Sequence, residues 1–381
     1  MLVSDFDYDL PERLIAQEPA TDRDSSRLLV VDRASGSITD STFSILPSLL
    51  RHGDVLVLNN TRVFPARLIG NKVPDGPSAK QTGGGRIEIF LVCEREPLVW
   101  EALVRPGRGL MKGARVEFAA GELKAEVVEW LEGGRRLIRF EAADDFDQLV
   151  DQIGRTPLPP YIKRDQDTRN DAERYQTVYA SERGAIAAPT AGLHFTGPLL
   201  DSIKRVGVEV IQITLHVGYG TFQPVRAARV EDHRVEPERY TITETASARL
   251  DAALNERRRI IAVGTTTTRA LESSCRVDGP VGTALLSGHG LNLRCPAGIG
   301  EDETSSGAKI RQGSATTALF IYPGFKFCIV GGLITNFHLP QSSLLMLVSA
   351  FGGRDLILEA YRHAVESEYR FYSYGDAMLV L

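Results

Sequence analysis

The sequence predicts an α/β fold, a mainly parallel sheet with helices on both faces in Rossmann-like layers, with an inserted all-β barrel domain. Two observations predict it. Over most of the chain, apolar runs alternate with amphipathic helical segments, as expected where helices cover both faces of a parallel sheet. Between residues 67 and 142 the pattern changes to short β-rich runs separated by Gly-rich turns, which is typical of a small barrel or sandwich.

The elements follow in order along the chain. A short helix is predicted at 11–16, and the apolar run 55–58 between Gly53 and Asn59 predicts a strand buried on both faces that joins the main sheet. The β-rich runs are 86–92, 98–104, 114–120, 123–132 and 135–142. Helices are then predicted at 199–206, 243–259 (capped by Thr243), within 341–350 and at 355–369, with strands at 208–217, 260–266, 325–337 and 377–381.

This order divides the chain into an α/β catalytic domain, residues 1–61 and 150–381, and an inserted β-barrel domain, residues 62–149. The Gly- and Ser-rich stretch between Cys275 and Gly313 predicts a long loop of the kind that forms mobile lids or disordered segments.

Composition excludes several classes of protein. Apolar residues make up 43% of the chain and charged residues 24%, as in a globular protein with a sizeable core. The N-terminus does not look like a signal peptide, and no apolar stretch is long enough to span a bilayer. The four cysteines are scattered without a Cys-x-x-Cys pair, and no two histidines have metal-site spacing. We therefore expect a cytoplasmic monomer with reduced thiols, no metal and no membrane partner.

Polar residues cluster where the apolar runs stop. "VLNNTR", "TLHVGYGTF", "VGTTTTR" and "LITNFHLP" each follow such a run, and "AAPTAGLHFT" has the same mix of Gly, Thr and His. Because ligands bind outside the carboxyl ends of the strands in α/β sheets, these loops predict one polar pocket. The sequence contains no dinucleotide-binding, P-loop or nucleophile-elbow motif, which argues against the nucleotide-binding and hydrolase sites that these motifs form.

The charge of the predicted barrel is uneven, although the whole chain has a net charge of −5. Residues 62–118 contain ten Lys or Arg and six Asp or Glu, whereas 119–147 contain four and eight. Arg105, Arg108, Lys112 and Arg115 occur in one stretch without an acid. We predict that these four residues contact a phosphate backbone.

At these motifs the sequence resembles the S-adenosylmethionine:tRNA ribosyltransferase-isomerases of queuosine synthesis. The resemblance runs in order over nearly the whole chain, from "DFDYDLPERLIAQEP" through "GDVLVLNNTRVFPARL", "ERYQTVYA", "AAPTAGLHFT" and "TLHVGYGTF" to "LITNFHLPQSSLLMLVSAFGG" and "YRFYSYGDAML". One departure is "HRVEPE", where the family usually has His-x-Met-His-x-Glu: His233 and Glu238 remain, but Val235 and Glu236 replace the Met-His pair.

The resemblance implies an activity. Such an enzyme moves the ribosyl part of S-adenosylmethionine onto a 7-aminomethyl-7-deazaguanine wobble base of tRNA and rearranges it, giving epoxyqueuosine-tRNA, adenine and methionine. S-adenosylmethionine is consumed as a substrate, so no cofactor is expected. The alternatives are an S-adenosylmethionine-dependent tRNA methyltransferase, disfavoured by the missing Gly-rich turn, and a non-catalytic tRNA-binding module, disfavoured by the polar loops.

Histidine suits the proton transfers that this reaction needs near neutral pH. We therefore predict His194 and His216 as catalytic residues, with His338 third. Aromatic residues of the loops are candidates for stacking on adenine, and Glu238 or Asp232 for binding the methionine ammonium. The predicted substrate-binding residues are Asn60, Arg62, Thr190, Gly192, Phe195, Tyr219, Gly220, Thr221, Phe222, His233, Glu238, Thr265, Thr266, Arg269 and Asn336.

Overall fold

The structure is a computed structural model and describes residues 1–74, 85–108, 110–164, 169–277 and 308–381. They form two compact units. The first consists of Met1–Arg62, Pro160–Lys163 and Gln176–Leu381, and the second of Val63–Pro159 and Arg164–Tyr175. The domain boundaries expected from the sequence, after residues 61 and 149, remain a prediction.

The helices of the described residues are α1 Leu46–Leu49, α2 Phe146–Ile153, α3 Arg169–Arg174, α4 Gly197–Arg205, α5 Glu244–Asn255, α6 Thr265–Ser274, α7 Ser343–Gly352 and α8 Arg354–Glu366. The strands are β1 Arg27–Asp32, β2 Ser37–Thr42, β3 Val55–Asn59, β4 Thr61–Val63, β5 Arg67–Lys72, β6 Arg86–Glu96, β7 Val99–Arg105, β8 Arg115–Phe118, β9 Leu123–Trp130, β10 Arg136–Ala142, β11 Glu182–Ala185, β12 Glu209–Leu215, β13 Glu238–Ile242, β14 Ile260–Val263, β15 Cys275–Val277, β16 Ala308–Ile310, β17 Gly313–Thr317, β18 Gly332–Asn336 and β19 Ala377–Val380.

The first unit is built on a nine-stranded sheet of order β17-β13-β12-β3-β14-β18-β19-β1-β2. The four central strands, β12, β3, β14 and β18, are mutually parallel, as the alternating pattern predicted. The outer strands make the sheet mixed, because β13 is antiparallel to β12 and β19 is antiparallel to β18. Two helices, α7 and α8, separate β18 from β19, and the chain enters β19 at the edge of the sheet where β18 ends.

The central strand β3 is buried on both faces, as its unbroken apolar run predicted. Val55 and Val57 belong to the apolar cluster on one side of the sheet, and Leu56 and Leu58 belong to the cluster on the other side. All four side chains are fully buried. This alternation holds the sheet between two apolar layers and fixes the position of its strand ends.

The second unit contains a closed six-stranded barrel of order β10-β7-β6-β5-β8-β9. Its neighbouring strands are antiparallel, and alternate residues such as Val116 and Phe118 of β8 are buried. The five β-rich runs of the sequence correspond to β6 to β10, with ends that differ by a few residues. The spacing of the Gly-rich turns is compatible with either a barrel or a sandwich. The closed ring of hydrogen-bonded strands shows that this domain is a barrel.

Three predicted elements differ in extent. The helix expected at 11–16 is a single 3-10 turn, Glu12–Leu14, because Ile15 is extended and pairs with Phe371 in a β-bridge. The strand expected from residue 325 begins only at Gly332. The strand expected to include Thr265 ends at Val263, and the threonines start α6 instead. Most of the loop expected between Cys275 and Gly313 lies outside the described residues, but its two ends pair as β15 and β16.

Two expectations concerned thiols and metals. Cys93 and Cys275 are free thiols, as expected, and Cys295 lies outside the described residues. Among the described residues no group of His, Cys, Asp and Glu is arranged to hold a metal ion. No helix in that part of the chain is long and apolar enough to cross a membrane.

Candidate active site

The polar loops meet at one edge of the sheet. Each of the four parallel strands is followed directly by one of the predicted motifs: Asn60 follows β3, His216 follows β12, Gly264 follows β14, and Phe337 and His338 follow β18. Because the four strands are adjacent and parallel, their carboxyl ends lie side by side. The first residue of β13, Glu238, also lies at this edge because β13 runs antiparallel to β12.

Two asparagines connect the ends of β3 and β12. The side-chain amide of Asn59 donates to the carbonyl of Leu215 at 2.9 Å, and its oxygen accepts from the Leu215 amide at 2.9 Å. Asn60 accepts from the Thr214 hydroxyl at 2.7 Å and donates to Ser181 at 3.1 Å. Asn60 thus holds the strand ends together, which is a structural role in addition to the substrate contact predicted for it.

His216 is half-buried at the end of β12, and its two ring nitrogens differ in their hydrogen bonding. Its Nδ1 lies 2.9 Å from the hydroxyl of Thr61, which in turn donates to the carbonyl of Glu182 at 3.4 Å. When the Thr61 hydroxyl donates to Glu182, its oxygen accepts from a protonated Nδ1, and Nε2 is then the unprotonated nitrogen. Among the described residues Nε2 has no hydrogen-bond partner. Burial lowers the pKa of His216, so Nε2 is an unprotonated base at neutral pH.

Gly184 makes this position of the ring possible. Its φ is +147°, and a Cβ there would lie 2.8 Å from both Cε1 and Nδ1 of His216. Any larger residue would push the imidazole away from Thr61.

His194 is placed differently, with both ring nitrogens bonded. Nδ1 lies 2.7 Å from the hydroxyl of Ser26, and Nε2 lies 3.1 Å from the amide nitrogen of Asn336, which can only donate. The ring packs against Phe43, and burial lowers the pKa of His194 to about 4. His194 is a neutral residue that joins the turn Thr190–His194 to the end of β18. This geometry favours a positioning role over the proton transfer predicted for it.

His338 is also buried and neutral. Its Nε2 lies 2.7 Å from the hydroxyl of Thr335, and its backbone is held by the hydroxyls of Tyr8 and Tyr361. Burial lowers the pKa of His338 to about 3. Of the three predicted histidines, His216 is the least buried, and its Nε2 has no hydrogen-bond partner within the described part of the chain.

A buried ion pair lies beside His216. Arg269 of α6 donates to Glu238 at 2.6 Å, and only 8% and 4% of the two side chains are exposed. The other carboxylate oxygen accepts from the amide of Gly218 at 2.9 Å and from the Thr221 hydroxyl at 3.4 Å. Glu238 is therefore engaged in holding residues 218–221, and its role as receptor for the methionine ammonium remains a prediction. Asp232, the other candidate for that role, is exposed.

Helix α6 begins at the same edge. Its N-cap is Gly264, with φ +94° and no side-chain capping bond. Thr267 and Thr268 direct their hydroxyls back to the carbonyls of Val263 and Gly264, whereas the Thr266 hydroxyl is buried and has no partner among the described residues. Thr265 is buried as well. The open N-terminus of α6 favours a hydrogen-bond acceptor at this edge of the sheet.

The remaining predicted residues divide into three groups. Phe195 is fully buried in the apolar core, where it packs edge-on against Phe43, and its contact with substrate remains a prediction. The side chain of Phe222 lies outside the described residues. Those at least partly accessible at the edge or next to it are Arg62, Thr190, Tyr219, Gly220, Thr221 and His233.

Comparison with known proteins identifies the family to which the chain belongs. The family model for queuosine biosynthesis protein matches residues 3–380. The chain belongs to this family. S-adenosylmethionine:tRNA ribosyltransferase-isomerases from Desulfitobacterium hafniense and Halothermothrix orenii are 47% and 45% identical over 381 residues, covering 100% of each chain. A crystal structure of an S-adenosylmethionine tRNA ribosyltransferase from Thermotoga maritima is 34% identical, with a TM-score of 0.50 over 99% of this chain and 100% of that one.

In this member of the queuosine biosynthesis family, the basic stretch predicted to contact tRNA lies at one end of the barrel. Arg105 ends β7 and Arg115 begins β8, and the segment between them contains Arg108 and Lys112. All four side chains are exposed, and Arg115 lies 3.9 Å from Glu126. β7 and β8 are not neighbours in the barrel, but the strand ends that carry Arg105 and Arg115 lie at the same end of it.

The sequence analysis missed several residues that shape the site. Ser26, Thr61 and Asn59 fix His194, His216 and the strand ends, and Thr177 and Tyr179 contact Gly192. Asn59 could have been found, because it ends the apolar run of β3 in "VLNNTR". Ser26 gives no comparable signal, since its partner His194 is 168 residues away in the sequence.

Proposed function

We propose that this chain is an S-adenosylmethionine:tRNA ribosyltransferase-isomerase. It transfers the ribosyl moiety of S-adenosylmethionine to the aminomethyl nitrogen of 7-aminomethyl-7-deazaguanine in tRNA and isomerises it, giving epoxyqueuosine-tRNA, adenine and methionine. The observation that carries the proposal is the match of the whole chain, at about 45% identity, to proteins named for this activity. The methyltransferase alternative has no support in the family or in these relatives.

His216 is the residue that we propose as general base. The sulfonium makes the hydrogens on the adjacent ribose carbon acidic, and the aminomethyl ammonium must lose a proton before its nitrogen can attack. Nε2 of His216 is unprotonated, directed by Thr61 and located at the carboxyl edge of the sheet, so it suits either transfer. His194 and His338 are neutral and buried, and we assign them to positioning the strand ends.

The other parts of the proposal concern partners. The basic residues at the barrel end are proposed to contact the tRNA backbone, and S-adenosylmethionine is proposed as a consumed substrate, with no further cofactor. A monomeric state and a cytoplasmic location, both expected from the sequence, complete the proposal.

Analysis of the by-products tests the activity. The protein is incubated with S-adenosylmethionine and tRNA carrying the aminomethyl-deazaguanine, once with label in the S-methyl group and once in the ribose. Ribosyl transfer releases adenine and methionine in equal amounts, leaves the methyl label in methionine and moves the ribose label to tRNA. Formation of S-adenosylhomocysteine in step with tRNA modification would refute the proposal and favour methyl transfer.

A further inference from the structure

Four buried polar atoms without partners surround one short turn. They are the hydroxyls of Thr177, Tyr179 and Thr266 and the side-chain oxygen of Asn336, and none has a hydrogen-bond partner among the described residues. Thr177, Thr266 and Asn336 are at most 7% exposed. Burying such groups unpaired is unfavourable, and most proteins pair nearly all of them. Four in one place indicate that something else supplies their hydrogen bonds.

The turn Thr190–His194 brings these atoms together. Gly192 lies directly against the first two: a Cβ there would be 2.1 Å from the Tyr179 hydroxyl and 2.9 Å from Cγ2 of Thr177. A Cβ on Gly264 would lie 3.6 Å from the Thr266 hydroxyl and 3.9 Å from Ala191, so Thr266 faces the same turn. Asn336 contacts the last residue of the turn through its 3.1 Å hydrogen bond to His194.

The chemistry of the cluster selects a neutral ligand. Three hydroxyls both donate and accept, and the Asn336 oxygen accepts, whereas none of the four groups carries a charge. Burial raises the pKa of Tyr179 and lowers that of His194, so both stay neutral. Arg23 also lies at the turn, where it donates to the carbonyl of Leu193 at 3.1 Å. The four groups themselves match the polar edge of a purine and the hydroxyls of a ribose, which donate and accept hydrogen bonds without a charge.

We propose that Thr177, Tyr179, Thr266 and Asn336 bind the adenosine part of S-adenosylmethionine, with Thr177 and Tyr179 as specificity residues. The inference rests on the proposed function, whose substrate contains this neutral group. The atoms are enclosed, which suits a small diffusible ligand better than a base attached to tRNA. Binding therefore requires the turn Thr190–His194 to move away from Tyr179, and the turn is a single 3-10 segment held at one end by His194.

Binding of adenosine and of S-adenosylmethionine to the full chain, measured by calorimetry without tRNA, tests the site. Tyr179→Phe and Thr177→Val each remove a hydroxyl and keep the shape of the side chain. We expect each to raise the Kd of both ligands roughly 3–10-fold, the effect of removing one hydrogen bond. Because the hydroxyls are unpaired in the free protein, the melting temperature without ligand should stay unchanged or rise.

Thr268→Val is the matched control, since its hydroxyl is buried in the same helix as Thr266 but bonds to the Gly264 carbonyl at 3.2 Å. This variant should lower the melting temperature and leave both Kd values unchanged. The inference is overturned if Tyr179→Phe and Thr177→Val lower the melting temperature without changing Kd, if wild-type protein does not bind adenosine, or if the variants weaken only tRNA binding. Failure of the proposed function would look different: adenosine would bind through these residues, but no adenine or methionine would be released.

Discussion

At the scale of single residues, the role of each histidine depends on how its two ring nitrogens are hydrogen-bonded. His216 and His194 both follow short polar motifs, yet only His216 keeps an unprotonated nitrogen without a partner among the described residues. The difference comes from the neighbours. Thr61 binds one nitrogen of His216, whereas Ser26 and Asn336 bind both nitrogens of His194.

We predict that His216→Gln lowers kcat by roughly 10²–10⁴-fold with an unchanged fold, the usual loss for a general base. The wild-type rate should fall as pH decreases through the pKa of His216, which burial places below its ordinary value of 6.5, because the protonated ring no longer accepts a proton. This acidic limb should disappear in the variant.

The control for this prediction is His52→Gln. His52 is exposed and precedes β3, so it lies at the opposite edge of the sheet from His216. Single-turnover rates across pH, with circular dichroism as a check on folding, make the comparison. Nearly wild-type rates for His216→Gln would remove His216 from the chemistry.

At the scale of elements, α6 is tied to the turn at 218–221 by the ion pair of Arg269 and Glu238. Arg269 also donates to the carbonyl of Leu319 at 2.9 Å, and Glu238 binds the amide of Gly218. One buried pair therefore holds α6, β13 and the turn after His216 in a common arrangement. The sequence motifs contained both residues but gave no reason to pair them.

Removing one member of the pair should destabilise the protein strongly. We expect Glu238→Gln or Arg269→Met to lower the free energy of unfolding by about 3–5 kcal/mol, because each leaves a buried partner uncompensated. The double variant should lose less than the sum of the two. Urea unfolding followed by circular dichroism measures these changes.

The exposed pair Arg13–Glu368 provides the comparison, with side chains 63% and 66% exposed. Glu368→Gln should change the stability by less than about 1 kcal/mol, since solvent screens such pairs. Equal effects of Glu238→Gln and Glu368→Gln would show that the buried pair does not hold these elements.

At the scale of the whole molecule, basic residues are exposed at one end of the barrel although the net charge of the chain is negative. The chain carries −5 overall, yet Arg105, Arg108, Lys112 and Arg115 stand exposed at one barrel end. A local basic surface attracts a polyanion even when the total charge repels it.

Replacing Arg105, Arg108 and Lys112 together with Ala should weaken tRNA binding and flatten its salt dependence. For each phosphate that the variant no longer neutralises, the slope of log K against log salt should fall by roughly 0.7–0.9. Lys124→Ala with Arg139→Ala, exposed on the acid-rich strands of the same barrel, should change the slope little. Filter binding at several salt concentrations gives the slopes, and an unchanged slope in the triple variant would place the tRNA elsewhere.

The sequence by itself determined the layers of the fold and the edge where the site lies. Unbroken apolar runs such as residues 55–58 predict strands buried on both faces, and polar residues directly after several runs predict a shared pocket. These features are local or periodic, so they can be read along the chain. The Gly-rich β runs likewise indicated a barrel or sandwich before the ring of strands was seen to close.

Only the tertiary structure decided what each polar residue does. Phe195 and Tyr179 are both aromatic residues in conspicuous motifs, but one lies in the core and the other turns an unpaired hydroxyl toward Gly192. Glu238, which was predicted to bind substrate, forms a buried ion pair with Arg269 that the sequence did not predict. Burial and hydrogen-bond partners decide such roles, and here the partners are separated by tens to hundreds of residues, as Ser26 and His194 are by 168. Periodicity carries no information about contacts at that range.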